Sequence, residues 1–148
     1  MAQETRNAEK QQAPSLADEM RRFRPAETKQ GPAWKNLAPD LVRQRLMIEG
    51  TTGKIVEPEQ MKAYLLELAE VAKMEVLSGP FAYSAHEMGY GGWIHWKSSG
   101  AHIYSYPTDP PLFTVDVYTC KPFSVKEAVE FTRKFFSAIE IVWKEIEV

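Results

Sequence analysis

The chain has 148 residues, of which 44% are hydrophobic and 26% charged, and its formal net charge is −2. This length and composition predict one globular domain that is large enough for a core. The small net charge gives no general attraction to nucleic acid or to anionic membranes. No apolar run approaches the roughly 20 residues that span a bilayer, and the N-terminus lacks the apolar centre of a signal peptide. We therefore expect a cytoplasmic protein.

Residues 1–40 differ in composition from the rest of the chain. They carry four prolines, many Gln, Glu, Lys and Arg, and few large apolar side chains, so they predict a flexible tail ahead of a domain at 41–148. One segment, 15–24, has a possible cap at Ser15 and apolar residues on one side of a helix. It could be a docking helix for a partner, or a transient helical turn in a disordered arm.

The domain is predicted to begin with a strand at 41–50, in which Leu46 and Ile48 point inward. Pro58 occupies a favoured first-turn position for a helix, and apolar residues at helical spacing follow it. We expect that helix to end before the Ser78-Gly79-Pro80 breaker and the chain to become extended from Phe81.

The remaining elements are read from alternation and capping signals. Further strands are predicted at about 92–97, 101–106 and 112–119, a helix from the capping residue Ser124 to Phe136, and a closing strand at 138–148. This order favours an α+β fold, a two-layer sandwich with both helices on one face of an antiparallel or mixed sheet.

Aromatic residues in the strands are too numerous to leave wholly in water. The set expected on the open sheet face is Trp93, Trp96, Tyr104, Tyr106 and Trp143. We therefore expect that face to be covered by a second copy of the chain, as in a homodimer, or by a bound ligand.

The stretch from Trp93 to Cys120 concentrates the chemically useful side chains. Because strand residues alternate between faces, two predicted rows share one side of the sheet: His102, Tyr104 and Tyr106, and Asp116, Tyr118 and Cys120. Hydroxyls, an imidazole, a carboxylate and a thiol would then form one surface, which is a candidate site.

Each of these residues also has a purely structural interpretation. Ser98 and Ser99 beside a glycine are common turn formers, and Cys120 can be a small buried apolar residue. His102 and Tyr104 can be cross-strand partners of Trp96 and Ile94, and Asp116 can be a buried acceptor. His86 and His95 lack companions at metal-ligand spacing, so no metal site is expected.

The residues from Ile103 to Cys120, followed by a capped helix and a strand, resemble the small prokaryotic S-adenosylmethionine decarboxylases. The similarity extends over Leu41 to Val148 in element order. It is sharpest at Asp116-Val117-Tyr118-Thr119-Cys120, which matches the family's Asp-x-x-Thr-Cys strand, and at Pro107, which matches a family proline. The resemblance implies an enzyme of spermidine synthesis that cleaves itself in a hairpin turn.

In that family the serine after the cut becomes a pyruvoyl group, whose ketone is the electron sink for decarboxylation. The resemblance places Ser99 on this serine, Ser98 on the residue before the cut, and Cys120 on the proton donor. The family's processing histidine is Tyr104 here and its ribose-binding glutamate is Thr108. His102 lies on the same side of the strand as Tyr104 and is a possible substitute base.

These departures predict a divergent member of polyamine metabolism whose self-processing is impaired or absent. Its predicted ligand is a small amine, an amino acid or a molecule like S-adenosylmethionine, with Tyr106, Thr108 and Asp116 as contacts, and an active paralogue is a possible partner. Two alternatives remain open. One is an active pyruvoyl-dependent decarboxylase with an altered amino-acid substrate, and the other is a non-catalytic oligomer.

Overall fold

The computed structural model describes residue 21 and residues 32–146. The predicted docking helix at 15–24 therefore lies outside the described residues, apart from Arg21. The domain unit begins at Lys35. Its elements in chain order are β1 (Gln44–Thr51), α1 (Pro58–Val71), β2 (Val76–Ser84), β3 (Tyr90–Trp96), β4 (Ser99–Tyr106), β5 (Leu112–Thr119), α2 (Val125–Phe135) and β6 (Glu140–Ile146), with a short 3-10 turn at His86–Met88.

The six strands form one sheet in the order β2-β3-β4-β5-β1-β6. Every neighbouring pair is antiparallel. Both helices cover the same face, α1 over β2 and β3 and α2 beside β1 and β6, and they also pack against each other. The predicted two-layer α+β sandwich is confirmed.

The core lies between the sheet and the helices. Leu46 and Ile48 are buried there, as predicted, together with the inward side chains of the central strands. Tyr64 of α1 is fully buried, and its hydroxyl bonds to Thr132 of α2 at 2.8 Å. Three phenylalanine rings of α2 and its C-terminal end surround the Tyr64 ring. This aromatic cluster fixes the two helices against each other.

The second strand begins earlier than the sequence predicts. Helix α1 ends at Val71, and Lys73 then adopts a left-handed φ of 55° that turns the chain. Strand β2 already begins at Val76, so the expected breaker at residues 78–80 lies inside it. Pairing with β3 continues on both sides of an irregularity between Ser78 and Phe81. Gly79 and Pro80 therefore form a bulge within β2 and do not separate two elements.

The prediction that Trp96 lies on the open face is wrong. Trp96 is only 1% exposed and belongs to the core, because it has the same alternation as Ile94. Trp143 pairs with the inward residue Ile48, and so lies on the helix side at the sheet edge. The aromatic content of the open face therefore comes mainly from Trp93 and the tyrosines of β2, β4 and β5.

Candidate functional site

A two-residue turn joins β3 to β4 at the centre of the candidate site. Lys97 and Ser98 form the turn, and Trp96 pairs with Ser99 across it. Ser98 has a left-handed φ of 59°, and the Lys97 N–H donates to the Glu75 carbonyl at 2.9 Å. Only the second of the two turn residues has a positive φ, unlike the primed turns that are commonest in tight hairpins. The hydrogen bond to Glu75 holds the turn in place, and Ser99 is the first residue of β4.

Ser99 and Cys120 are in direct contact. The Ser99 hydroxyl accepts a hydrogen bond from the Cys120 N–H at 3.0 Å, and it lies 3.5 Å from the Cys120 Sγ. The thiol also lies 3.7 Å from the Lys97 carbonyl oxygen. The proximity expected of this serine and thiol is therefore present, since the end of β5 lies directly beside the start of β4.

The polar rows of β4 and β5 share the open face, as the alternation predicts. His102 lies opposite Asp116, and Tyr104 opposite Thr114. The rings of His102 and Tyr104 are 6.5 Å apart. The suggested pairing of His102 and Tyr104 with Trp96 and Ile94 is wrong.

The partners of these two residues on β3 are instead Trp93 and Gly91, because the two-residue turn sets the register. Asp116 is exposed on the sheet surface, so its interpretation as a buried acceptor is also wrong. An exposed carboxylate opposite an imidazole is free to meet a ligand.

A cavity of about 620 Å³ lies on this open face. It brings together Ser99, His102 and Asp116 among the predicted site residues. The remaining lining residues come from five strands: Arg45, Leu46, Met47, His95, Gly100, Val117, Tyr118 and Ile146. The volume is in the range of small-molecule sites.

Other predicted site residues lie outside this cavity. Tyr104 and Tyr106 stand further along β4, and Cys120 contacts Ser99 from beside the hairpin. Thr108 lies in the exposed connection to β5, where its hydroxyl donates to the Pro110 carbonyl at 2.8 Å. The Thr108 hydroxyl is therefore hydrogen-bonded within its own turn, and Thr108 does not line the cavity.

Several cavity residues are not identified by the sequence reasoning. The alternation marks Arg45 and Met47 as outward residues of the first strand, but nothing local indicates that β1 lies next to β5. His95 alternates with the buried Ile94 and Trp96, which is a signal that it shares a face with Trp93. The Arg45 guanidinium lies over the Tyr118 ring, 5.2 Å from its centroid.

Charge at the site is set by groups of both signs. Arg45 of β1 and Asp116 of β5 lie on neighbouring strands. They are not directly opposite each other, because Asp116 pairs with Met47 and Arg45 pairs with Tyr118. Desolvation raises the pKa of Tyr104, and the nearby Tyr83, Tyr106 and Asp116 raise it further. A tyrosine is already protonated at neutral pH, and this shift makes its ionisation still less favourable.

Within residues 32–146, no three His, Cys, Asp or Glu side chains are grouped so that they could hold a metal ion. No helix in this part of the chain is long and apolar enough to cross a bilayer.

An antiparallel sheet with two helices on one face and a cavity on the other defines the class of this protein as an α+β two-layer sandwich. The model of the S-adenosylmethionine decarboxylase family matches residues 47–147. The chain belongs to that family, and the resemblance read from the sequence is confirmed.

Among solved structures, the crystal structure of the adenosylmethionine decarboxylase from Aquifex aeolicus VF5 is similar to this chain. The two share 22% sequence identity with a TM-score of 0.60, and the alignment covers 72% of this chain and 90% of that one. This likeness shows the fold. No curated protein matches the chain.

Proposed function

We propose that this protein is a divergent S-adenosylmethionine decarboxylase-family member that remains uncut and binds a small zwitterionic amine in the open-face cavity. The observation that carries the proposal is Tyr104. It stands where the family resemblance implies the processing histidine, and it is a phenol, which is protonated at neutral pH and whose pKa burial raises further. A protonated phenol is a much poorer base than an imidazole.

The surroundings of Ser99 support the same conclusion. The Ser99 hydroxyl is hydrogen-bonded to both the backbone N–H and the thiol of Cys120. His102 points to the opposite face of β4 from the buried Ala101 and Ile103, and its ring contact is with Tyr104. The residues present therefore do not fit the set that the family uses to make a pyruvoyl group.

The cavity is suited to a ligand with an amino-acid head group. A ligand carboxylate would meet the Arg45 guanidinium, whose fork geometry matches carboxylates. The ligand ammonium or sulfonium would meet Asp116 and the Tyr118 and His102 rings. Met47 and Ile146 provide apolar surface for the rest of the molecule. S-adenosylmethionine has these features, as do simpler cationic amino acids. Family membership supports the proposal of a place in polyamine metabolism.

Thermal unfolding with added ligand tests this binding. A ligand that binds only the folded state raises the melting temperature, because it adds about 2.7 kcal/mol to the free energy of unfolding at 100 times Kd. We expect this shift with S-adenosylmethionine, ornithine or arginine, and a weaker one with spermidine, which has no carboxylate for Arg45. Arg45→Gln should reduce affinity for the zwitterions by about tenfold or more, since a charge-assisted pair is lost.

Arg133→Gln is the matched control, because Arg133 lies on α2 and pairs with Glu130 at 2.9 Å. It should leave the ligand shift unchanged. Equal loss in both variants, or no shift with any of the four ligands, would remove the support for an amino-acid site.

One observation favours a second candidate, an active pyruvoyl-dependent decarboxylase with an altered amino-acid substrate. Ser99 and Cys120 are in contact at 3.5 Å, as the family's cofactor-forming serine and proton donor would require. The two candidates make opposite predictions for chain integrity, since the enzyme must be cut between Ser98 and Ser99.

A further inference from the structure

Two glycines of β3 and β4 lie on the open face of the sheet, each paired with a tyrosine, but only one of them is covered by its partner. Tyr83 pairs with Gly91, and its ring lies so close that a Cβ on Gly91 would come within 2.6 Å of it. Gly100 pairs with Tyr118, yet none of the three atoms nearest to its Cβ position belongs to that tyrosine. The surface above Gly100 therefore stays open, and it forms part of the cavity.

The space above Gly100 lies between two rings. His95 of β3 and Tyr118 of β5 are the partners of Gly100 on either side, in one row across the sheet. Cδ2 of the His95 ring lies 3.6 Å from the Cβ position of Gly100. Each ring has a further neighbour, since the Trp93 ring is 4.7 Å from that of His95 and the Arg45 guanidinium is 5.2 Å from the centre of Tyr118. This space is a slot with an aromatic ring on each side.

The width of the slot suits one flat group. Neighbouring strands are about 4.8 Å apart, so β3 and β5 are separated by about 9.5 Å across β4. Stacked groups have their atoms about 3.5–4.0 Å apart, so a flat group between two rings needs a gap of about 7–8 Å. Side chains that lean slightly toward each other from strands at this spacing provide that gap. A flat group can therefore contact both rings at once.

The charge beside the slot favours a cation. Asp116 lies on β5 two residues before Tyr118 and on the same face, and its side chain is exposed. Within residues 32–146, Asp116 forms no ion pair. A guanidinium is flat and positively charged, stacks on aromatic rings and presents paired N–H donors to a carboxylate. A neutral nucleobase has the flat shape without the charge.

We propose that the slot between His95 and Tyr118 binds a guanidinium, so that the cavity selects a guanidino amino acid such as arginine. This inference rests on the proposed function, which assigns the ligand carboxylate to Arg45. The guanidinium stacks over Gly100 and donates to Asp116, while the carboxylate of the same molecule meets Arg45. An ammonium is compact, strongly hydrated and without a flat face, so the His95 ring distinguishes the two kinds of cation.

Isothermal titration calorimetry of the full chain with three amino acids tests this selectivity. Arginine and lysine are similar in length but end in a guanidinium and an ammonium, and ornithine is a shorter ammonium ligand. We expect arginine to bind about tenfold or more tightly than lysine or ornithine, because only its cation stacks on both rings.

Replacement of the His95 ring is the decisive change. His95→Asn should weaken arginine binding by about fivefold to tenfold and leave the lysine and ornithine affinities within about twofold of their natural values. The retained ornithine binding shows that this variant is folded. His95→Phe keeps a ring and should retain the preference for arginine.

His86→Asn is the matched control. It makes the same change at an exposed position between β2 and β3, outside the cavity, and Asn tolerates the left-handed φ of 53° found there. All three affinities should stay unchanged. Gly100 is unsuitable for substitution, because a Cβ there would lie 2.9 Å from the Ile94 carbonyl oxygen.

The possible outcomes separate this inference from the proposed function. If lysine and ornithine bind and Arg45→Gln weakens them, but arginine has no advantage, the amino-acid site stands and the guanidinium slot is wrong. Equal weakening of all three ligands by His95→Asn has the same meaning. Adenosine binding that His95→Asn removes would assign the slot to a nucleobase and overturn the proposal. If S-adenosylmethionine and all three amino acids fail to bind, the proposed function fails as well.

Discussion

The phenol of Tyr104 and the hydroxyl of Ser99 are the side chains on which the proposed loss of self-processing depends. Tyr104 is partly buried among tyrosines, and burial raises its pKa, so it keeps its proton at the pH at which an imidazole would be a base. Ser99 is held by two contacts to Cys120. We therefore expect Ser99 to keep its hydroxyl and the chain to remain uncut.

Two buried threonines should respond oppositely to the loss of a hydroxyl. The Thr132 Oγ1 donates to the Ala128 carbonyl at 2.7 Å and meets the Tyr64 hydroxyl at 2.8 Å, whereas the Thr119 Oγ1 is buried without a partner. Thr132→Val should lower the free energy of unfolding by about 1–3 kcal/mol, because the buried Tyr64 hydroxyl is left unpaired. Thr119→Val should leave it unchanged or raise it. Urea denaturation checks both, and equal destabilisation would contradict the assignment.

The Tyr64 phenol should make the fold sensitive to alkali. Burial raises its pKa above the ordinary value of 10.0, outweighing the opposing effect of the hydrogen bond with Thr132. The folded state therefore keeps a proton that the unfolded state loses, so this stabilisation is complete below pH 10 and declines as pH rises above it. Between about pH 9 and about pH 11, the melting temperature of Tyr64→Phe should fall less steeply with rising pH than that of the natural chain. Identical slopes would show that another group is responsible.

At the scale of elements, Ser124 and Glu127 have the spacing of a capping box at the start of α2, in which two reciprocal hydrogen bonds are expected. One of the two is present. The Glu127 N–H donates to the Ser124 Oγ at 3.2 Å. No return bond from the Glu127 carboxylate to the Ser124 N–H is found in residues 32–146. Ser124→Ala should cost about 1 kcal/mol of stability, and Ser124→Gly only a few tenths. Chemical denaturation of both variants would show this order, and a larger loss with glycine would contradict the capping role.

Local patterns predict the elements well where local chemistry decides them. Alternation in β1, β4 and β5 indicates the buried and exposed faces, and Pro58 marks the start of α1. The start of β2 escapes prediction because Gly79 and Pro80 signal a break, while pairing with β3 keeps the segment extended across a bulge. Long-range pairing outweighs the local preference there.

The candidate site is only partly predictable for a related reason. Ser99, His102 and Asp116 lie on consecutive strands, whose adjacency follows from short connections. Arg45 and Ile146 reach the same cavity because β5, β1 and β6 are neighbours in the sheet although they are distant in the chain. Strand order of this kind is a property of the whole fold, and one sequence gives no local signal for it.

For the molecule as a whole, the fold separates three surfaces. The helices cover one face of the sheet, the open face carries the cavity, and β6 presents a regular edge. Family membership is established, the predicted ligand is a proposal with its own test, and the homodimer stays a prediction.

The mass of the intact, freshly purified chain tests the central claim most directly. We expect a single species at 16.9 kDa, differing from a Ser99→Ala variant only by the mass of one oxygen, and one band on denaturing electrophoresis. Two fragments that meet at Ser98 and Ser99, with the C-terminal fragment blocked at its N-terminus by a group that borohydride reduces, would contradict it.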